Sequence, residues 1–212
     1  MAARGRSNPL ALAVLACLIE RPMHPYEISS TLRSRGKHES IKLNYGSLYT
    51  VVEALAKRGL IAAQETERAG RRPERTVYRI TETGRIEFAD WLSDLLSTPV
   101  NDFTTFEAAL SLLPGLPPQE VVGLLRDRAE RLRFLIAEAD AIDQVAAATI
   151  PRLFLVESDY RQALRRAELA YVEQLIKDID TGAIGGVDLW QKWHDDPDFD
   201  VTAAVEALMH QR

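Results

Sequence analysis

The chain has 212 residues, 46% hydrophobic and 27% charged, with a net charge of −5. That composition suits a globular chain with a buried core and excludes a disordered or low-complexity one. The charge is polarised: residues 1–85 hold 15 basic and 8 acidic side chains (+7), and the remaining 11 basic and 23 acidic leave residues 86–212 at −12. One half therefore suits phosphate and the other suits protein or water.

In chain order, residues 9–20 predict a helix that is apolar on nearly all sides and hence central, ended by Arg21-Pro22. A second helix begins near His24, with Pro25 at its first position and Ile28 and Leu32 inward, and Gly36 closes it. In the third helix Leu48, Val52 and Leu55 recur at i, i+4 and i+7 as a core-facing stripe. Its other face presents Ser47, Thr50, Glu53, Ala54 and Lys57, and Gly59 stops it. A strand, a loop and a returning strand follow; the loop is Arg68-Ala69-Gly70-Arg71-Arg72-Pro73-Glu74-Arg75. Thr81 is the expected N-cap of a fourth helix holding Ile86, Trp91, Leu92, Leu95 and Leu96, which breaks at Ser97-Thr98-Pro99.

The rest predicts helices only. A short one covers residues 103–112. A long one covers about 119–148, with Val122, Leu125, Ala129, Leu132, Ile136 and Ala139 forming a heptad seam that Asp143 interrupts. A second long helix covers 152–180, with Leu153, Val156, Tyr160, Leu164, Ala167, Tyr171, Leu175 and Ile179 on one side. Two such helices with short joins do not bury themselves completely, so an antiparallel hairpin that pairs with a second copy is expected. The tail carries Trp190 and Trp193, an Asp-rich loop and a last helical stretch.

A short amphipathic helix followed by a basic hairpin is the arrangement with which a winged helix-turn-helix holds DNA. Tyr45 and Ser47, at the start of the third helix, are placed to reach base edges, with Thr50 and Lys57 on its exposed face. Arg68, Arg71, Arg72 and Arg75 form a positive cluster at the hairpin tip that a solvated turn does not require, although Glu67 and Glu74 offset part of it. The alternative reading of this stretch is a winged-helix protein-interaction module that reads no DNA, its wing arginines paired with acids of the other half.

The sequence resembles the PadR family of bacterial transcriptional regulators. The resemblance rests on Met23-His24-Pro25-Tyr26-Glu27-Ile28, Tyr45-Gly46-Ser47-Leu48-Tyr49, Leu55, Gly59-Leu60-Ile61, Arg71-Arg72-Pro73 and Tyr78-Arg79-Ile80-Thr81-Glu82-Thr83-Gly84. It is closest over residues 9–96 and continues loosely through Leu124-Leu125-Arg126-Asp127-Arg128 and Ala167-Glu168-Leu169-Ala170-Tyr171, which are similar to the helical half of the longer subfamily. It implies a homodimeric repressor on a palindromic operator, with Tyr49 offering its hydroxyl to phosphate. It also implies a small aromatic or phenolic effector, for which Trp91, Phe103, Phe106 and Phe134 are candidates, each also at a spacing that core packing explains.

The expected architecture is mainly α: a winged helix-turn-helix DNA-binding domain with a small β-hairpin wing at 1–98, an α-helical antiparallel dimerisation domain at 99–186, and a tail at 187–212 of unassigned role. Enzymatic patterns do not appear. His24, His38, His194 and His210 lack metal-ligand spacing, and His24 reads as a helix cap. Glycine-rich phosphate loops and nucleophile elbows are missing. Asp196, Asp198 and Asp200 resemble the start of a calcium loop, but Val201 stands where glycine is needed, so Asp200 reads as a helix cap. No metal or cofactor is expected. The longest apolar stretch, residues 10–19, is short of the roughly 20 residues of a membrane span, and Glu20-Arg21-Pro22 follows it in place of a small-residue cleavage site. With Cys17 the single cysteine, the expectation is a cytoplasmic protein without membrane association.

Overall fold

The computed structural model describes residues 8–64 and 76–209, in two compact units, Met1–Asn101 and Asp102–Arg212. In the first unit α1 (Pro9–Glu20) packs against α2 (Pro25–Ser34), α3 (Tyr45–Lys57) and α4 (Glu82–Ser97), and a two-stranded antiparallel sheet, β1 (Ile61–Gln64) and β2 (Val77–Ile80), lies against α1 and α3. Ile61 lies opposite Ile80 and Gln64 opposite Val77. Met23 exchanges backbone hydrogen bonds of 3.0 Å with Tyr78 and so ties the α1–α2 link to the hairpin.

Local chemistry sets these boundaries. The Asn8 carboxamide accepts from Leu10 N at 3.1 Å and starts α1. His24 Nδ1 accepts from Tyr26 N while the Glu27 carboxylate accepts from His24 N, a reciprocal cap for α2. Gly59, at φ +71°, ends α3: its N–H donates to Ala56 O, and that of Leu60 to Leu55 O. The Thr81 hydroxyl accepts from Gly84 N and reaches Gly59 O and Leu60 O at 2.8 and 3.0 Å, fastening the start of α4 to the end of α3. Val14, Leu15, Leu18, Ile28, Leu48 and Trp91 meet in one core. Trp91 and, in part, Leu92 turn inward, whereas Ile86, Leu95 and Leu96 lie on the outside of α4.

The second unit holds α5 (Thr105–Ser111), α6 (Pro118–Ala147), α7 (Val156–Asp180), α8 (Val187–Asp195) and α9 (Val201–Met209). Helix α6 buries Val122, Leu125, Ala129 and Leu132, the expected seam, with Ile136 and Ala139 half-buried beyond it. Helix α7 answers with Val172, Leu175 and Ile179 and, in part, Leu169 and Ile176. Here the structure departs from the spacing argument. Of the stripe expected on α7 only Leu175 and Ile179 are buried; Leu153, Val156, Tyr160, Leu164 and Tyr171 are exposed. The helix carries two apolar stripes, and the more regular one is on the outside.

The α6–α7 contact is flanked by ion pairs Arg126–Asp180, Arg128–Glu168, Arg133–Glu173 and Arg166–Asp140. Toward the hairpin tip polar groups replace the apolar contact: Gln162, 3% exposed, donates to Ile136 O and Asp140, and the Ser158 hydroxyl donates to Asp143. The α8 segment is part of this unit's core. Trp190 is buried there, its indole N–H donating to Leu116 O at 2.7 Å, and His194 Nε2 lies 2.9 Å from Pro114 O. Asp200 accepts from Ala203 N at 3.0 Å in the first turn of α9, as a cap does.

Candidate nucleic-acid interface

Helix α3 is held from beneath and open above. Its N-cap, Asn44, accepts from Gly46 N at 3.0 Å. Leu48, Val51, Val52 and Leu55 fix it to the core, each no more than 7% exposed. Ser47, Thr50, Glu53, Ala54 and Lys57 are all exposed on the other side. Ten residues separate Ser47 from Lys57, about 15 Å along the axis, enough to follow a groove.

The individual groups differ in what they offer. The Thr50 hydroxyl donates to Gly46 O at 3.1 Å, which leaves its oxygen to accept from a ligand. Tyr49 is exposed beside Thr50, and Tyr45 is the first residue of α3. Lys57 stands exposed in the last turn. Arg58, next along, is engaged with Glu87 at 3.0 Å across to α4. Arg68, Arg71, Arg72 and Arg75 lie outside the described residues. The flanking strand residues Gln64 and Val77 are paired.

Two cations next to this face were not singled out from spacing. Lys42 is exposed two residues before the Asn44 cap, and Arg79 is exposed on β2. Neither makes an ion pair among the described residues, whereas Arg21, Arg35 and Arg58 each hold a glutamate. Their signal is position beside the third helix and the wing, which a search for clustered arginines passes over.

The aromatic candidates separate. Trp91 is 1% exposed in the core of the first unit, and its indole N–H has no hydrogen-bond partner among the described residues. Phe103 precedes α5 and is 87% exposed. Phe106 is half-buried with the Arg128 guanidinium 3.7 Å from its ring centre, and lines a cavity of about 650 Å³ with leucines of α6 and of the segment that follows α5. Phe134 lines an adjoining depression of about 630 Å³. Of the four, Phe106 and Phe134 thus border neighbouring cavities. Burial pushes the Cys17 thiol up to about 11, so this cysteine is inert at neutral pH. No cluster of potential metal ligands occurs among the described residues, and no described helix is long and apolar enough to cross a membrane.

Three core-anchored helices, a two-stranded wing and an outward α3 define a winged helix-turn-helix. Residues 14–90 match the transcriptional regulator PadR-like family. The fold agrees with Bacillus subtilis PadR in complex with operator DNA (TM-score 0.62, 18% identity, covering 80% of this chain and 98% of that one). The same protein in complex with p-coumaric acid gives a TM-score of 0.64 at 17% identity, over 81% of this chain and 98% of that one. The Vibrio cholerae virulence activator AphA gives 0.61 at 18% identity over the same shares. No protein of curated function matches the sequence. Residues 14–90 thus form a PadR-like domain, and the solved structures show that the fold is shared over most of the chain.

Proposed function

We propose that this protein is a transcriptional regulator of the PadR-like family, a cytoplasmic, homodimeric repressor that binds double-stranded DNA sequence-specifically, and that a small aromatic or phenolic effector releases it. The observation that carries the reading is α3 itself, its apolar stripe locked into the core and its polar stripe clear of it. In this reading Tyr45, Ser47 and Thr50 contact bases. Tyr49, Lys57 and the wing residues Arg68, Arg71, Arg72 and Arg75 hold phosphate, supplying affinity and register more than choice of sequence. Two α3 helices of a dimer enter successive major grooves roughly 34–36 Å apart on a palindromic site. The division of labour follows: residues 1–98 read DNA and residues 99–186 dimerise and sense, as in the longer PadR subfamily, while Trp190 of the 187–212 tail packs into the second unit's core.

Support for DNA comes from the basic balance of residues 1–85 and from the likeness to a PadR captured on operator DNA. Support for an effector comes from the likeness to a PadR holding p-coumaric acid and from the cavity beside Phe106. Phe134 borders the same region, whereas Trp91 belongs to the core of the first unit and Phe103 stands exposed before α5. The test is selection of bound sequences from a random DNA pool by the purified full chain. A palindrome with half-sites one helical turn apart is the expected result. Enrichment of no sequence, with affinity insensitive to salt, would overturn the reading.

A further inference from the structure

The turn between α5 and α6 is short of donors. Leu113–Gly115 forms a single tight turn, in which Gly115 N–H donates to Leu112 O and Leu116 N–H to Leu113 O. Three and four residues beyond Pro114 stand Pro117 and Pro118. Neither carries an N–H, so Pro114 O finds no donor at those positions. Helix α8 supplies the missing donors. Trp190 and His194 are four residues apart and so share one face of it. The indole N–H donates to Leu116 O at 2.7 Å, and His194 Nε2 meets Pro114 O at 2.9 Å. The same turn is a wall of the cavity beside Phe106, which Leu112, Leu113 and Leu116 line together with leucines of α6. Leu113 also packs against the cluster in which Trp190 is buried. Helix α8 begins without a side-chain cap, after a link in which Gly182, Gly185 and Gly186 take φ of +74°, +75° and +77°. It is located by what it grips.

We infer that α8 is a strap that shapes the effector cavity, with Trp190 and His194 as positioning residues that hold its leucine wall in place. The inference rests on the effector reading above and adds the tail to the sensing site. Neither residue lines the cavity. Each touches only the backbone of the turn and acts on a ligand through Leu112, Leu113 and Leu116. Removing either donor leaves a carbonyl without its partner and frees the turn to shift, so the wall no longer presents one shape. The coupling is reciprocal: a ligand packed on this wall steadies α8 by the same factor by which α8 strengthens its binding.

The probe is p-coumaric acid, titrated calorimetrically into the full chain. His194→Ala and Trp190→Phe should each weaken its binding about fivefold, as the loss of one hydrogen bond does. His194→Gln, whose amide can donate in place of Nε2, should recover it to within about twofold of the native chain. Ala109→Phe, which fills the cavity, should abolish it. Hydrogen exchange gives a readout without ligand: the amides of Gly115 and Leu116 should exchange about fivefold faster in the two donor-deleted variants, with those of the α6–α7 contact unchanged. In the native chain p-coumaric acid should slow exchange in α8 as well as in the turn. Native exchange of the turn in both variants, or a loosened turn with unchanged affinity, overturns the strap and leaves the effector reading standing. So does His194→Gln as weak as His194→Ala, or undiminished binding by Ala109→Phe, which puts the ligand elsewhere. A native chain that binds no p-coumaric acid at millimolar concentration overturns the effector reading, and the strap with it.

Discussion

Along α1 two of the three alanines are inside: Ala11 and Ala13 are buried with Val14, Leu15 and Leu18. Along α7 the amide of Gln162 is 3% exposed while Tyr160, Leu164 and Tyr171 stand more than half in solvent. The first pattern belongs to a unit that satisfies its own core, the second to one whose outer face is made for something else. Apolar side chains left in water forgo roughly 1.5–3 kcal/mol each relative to full burial, so a stripe of them marks an interaction surface. The polar groups at the tip of the α6–α7 hairpin act in the same direction: they fix how the two helices meet without drawing the apolar stripe inward.

The largest effect should come from breaking the self-sufficient unit at Gly84. A Cβ built there lies 2.0 Å from Leu60 O and 2.9 Å from an Ile80 side-chain carbon. Leu60 O cannot simply retreat, because it accepts from Thr81 N and meets the Thr81 hydroxyl. Gly84→Ala should therefore cost about 3–5 kcal/mol, at the upper end of single substitutions, and lower the melting temperature of the reader unit. Helical content from α6 and α7 that outlasts this melting would confirm that the two units fold separately. A variant that melts like the native chain would mean that α4 shifts freely on Leu60, against the bonding just described.

Next in size is the wing. Arg71→Ala together with Arg72→Ala should weaken binding to every DNA sequence alike. The slope of log affinity against log salt should become shallower by about 1.8, at roughly 0.9 for each phosphate no longer neutralised. Fluorescence anisotropy at several salt concentrations measures it. An unchanged slope would assign the phosphates to Lys42, Lys57 and Arg79 instead, a division that Lys57→Ala and Arg79→Ala then resolve.

A smaller effect should come from the second unit. Gln162→Leu removes an amide whose hydrogen bonds are long, 3.3 Å to Ile136 O and 3.4 Å to Asp140. Asp140 keeps Arg166. Replacing such a group by an apolar one of similar shape is close to neutral, so stability should change by no more than about 1 kcal/mol in urea denaturation. Val172→Ala in the apolar part of the same contact should cost more. The reverse order would mean that the polar seam, not the apolar one, holds the hairpin together.

The sequence is legible where structure is decided locally. Gly59 ends α3, Pro25 opens α2 and Thr81 opens α4 because each acts on backbone groups within a few residues. Which face of a helix is inside is decided by what lies across from it, and there the spacing misleads. Helix α7 has two apolar stripes, and the regular one through Tyr160, Leu164 and Tyr171 outscores the stripe that is buried, since Gln162 and Arg165 interrupt the latter. The site follows the same division. The polar face of α3 is the complement of a local stripe and can be read directly. Whether four aromatic residues converge depends on tertiary placement: Trp91 went to one core and Phe106 to the edge of another. Trp190 had no pattern to reveal it, because its partner is the carbonyl of Leu116, 74 residues away.

The smallest effect sharpens the comparison from the reader's side and depends on pH. The Glu27 carboxyl is held below its usual range chiefly by the His24 N–H it accepts, with Arg21 assisting. Glu20 is held down by Arg35. A carboxyl with a lower pKa in the folded than in the unfolded state contributes stability that is complete above the unfolded value. That contribution is lost as pH falls through the folded one. The reader unit should therefore weaken as pH falls below the ordinary carboxylate value of 4.5. Glu27→Gln keeps an acceptor for His24 N–H but carries no charge, so its melting temperature should fall less steeply than that of the native chain between about pH 5 and pH 3. An equal slope in the two proteins would leave the acid sensitivity to Glu20, and Glu20→Gln then separates the helix cap from the ion pair that joins α1 to the end of α2.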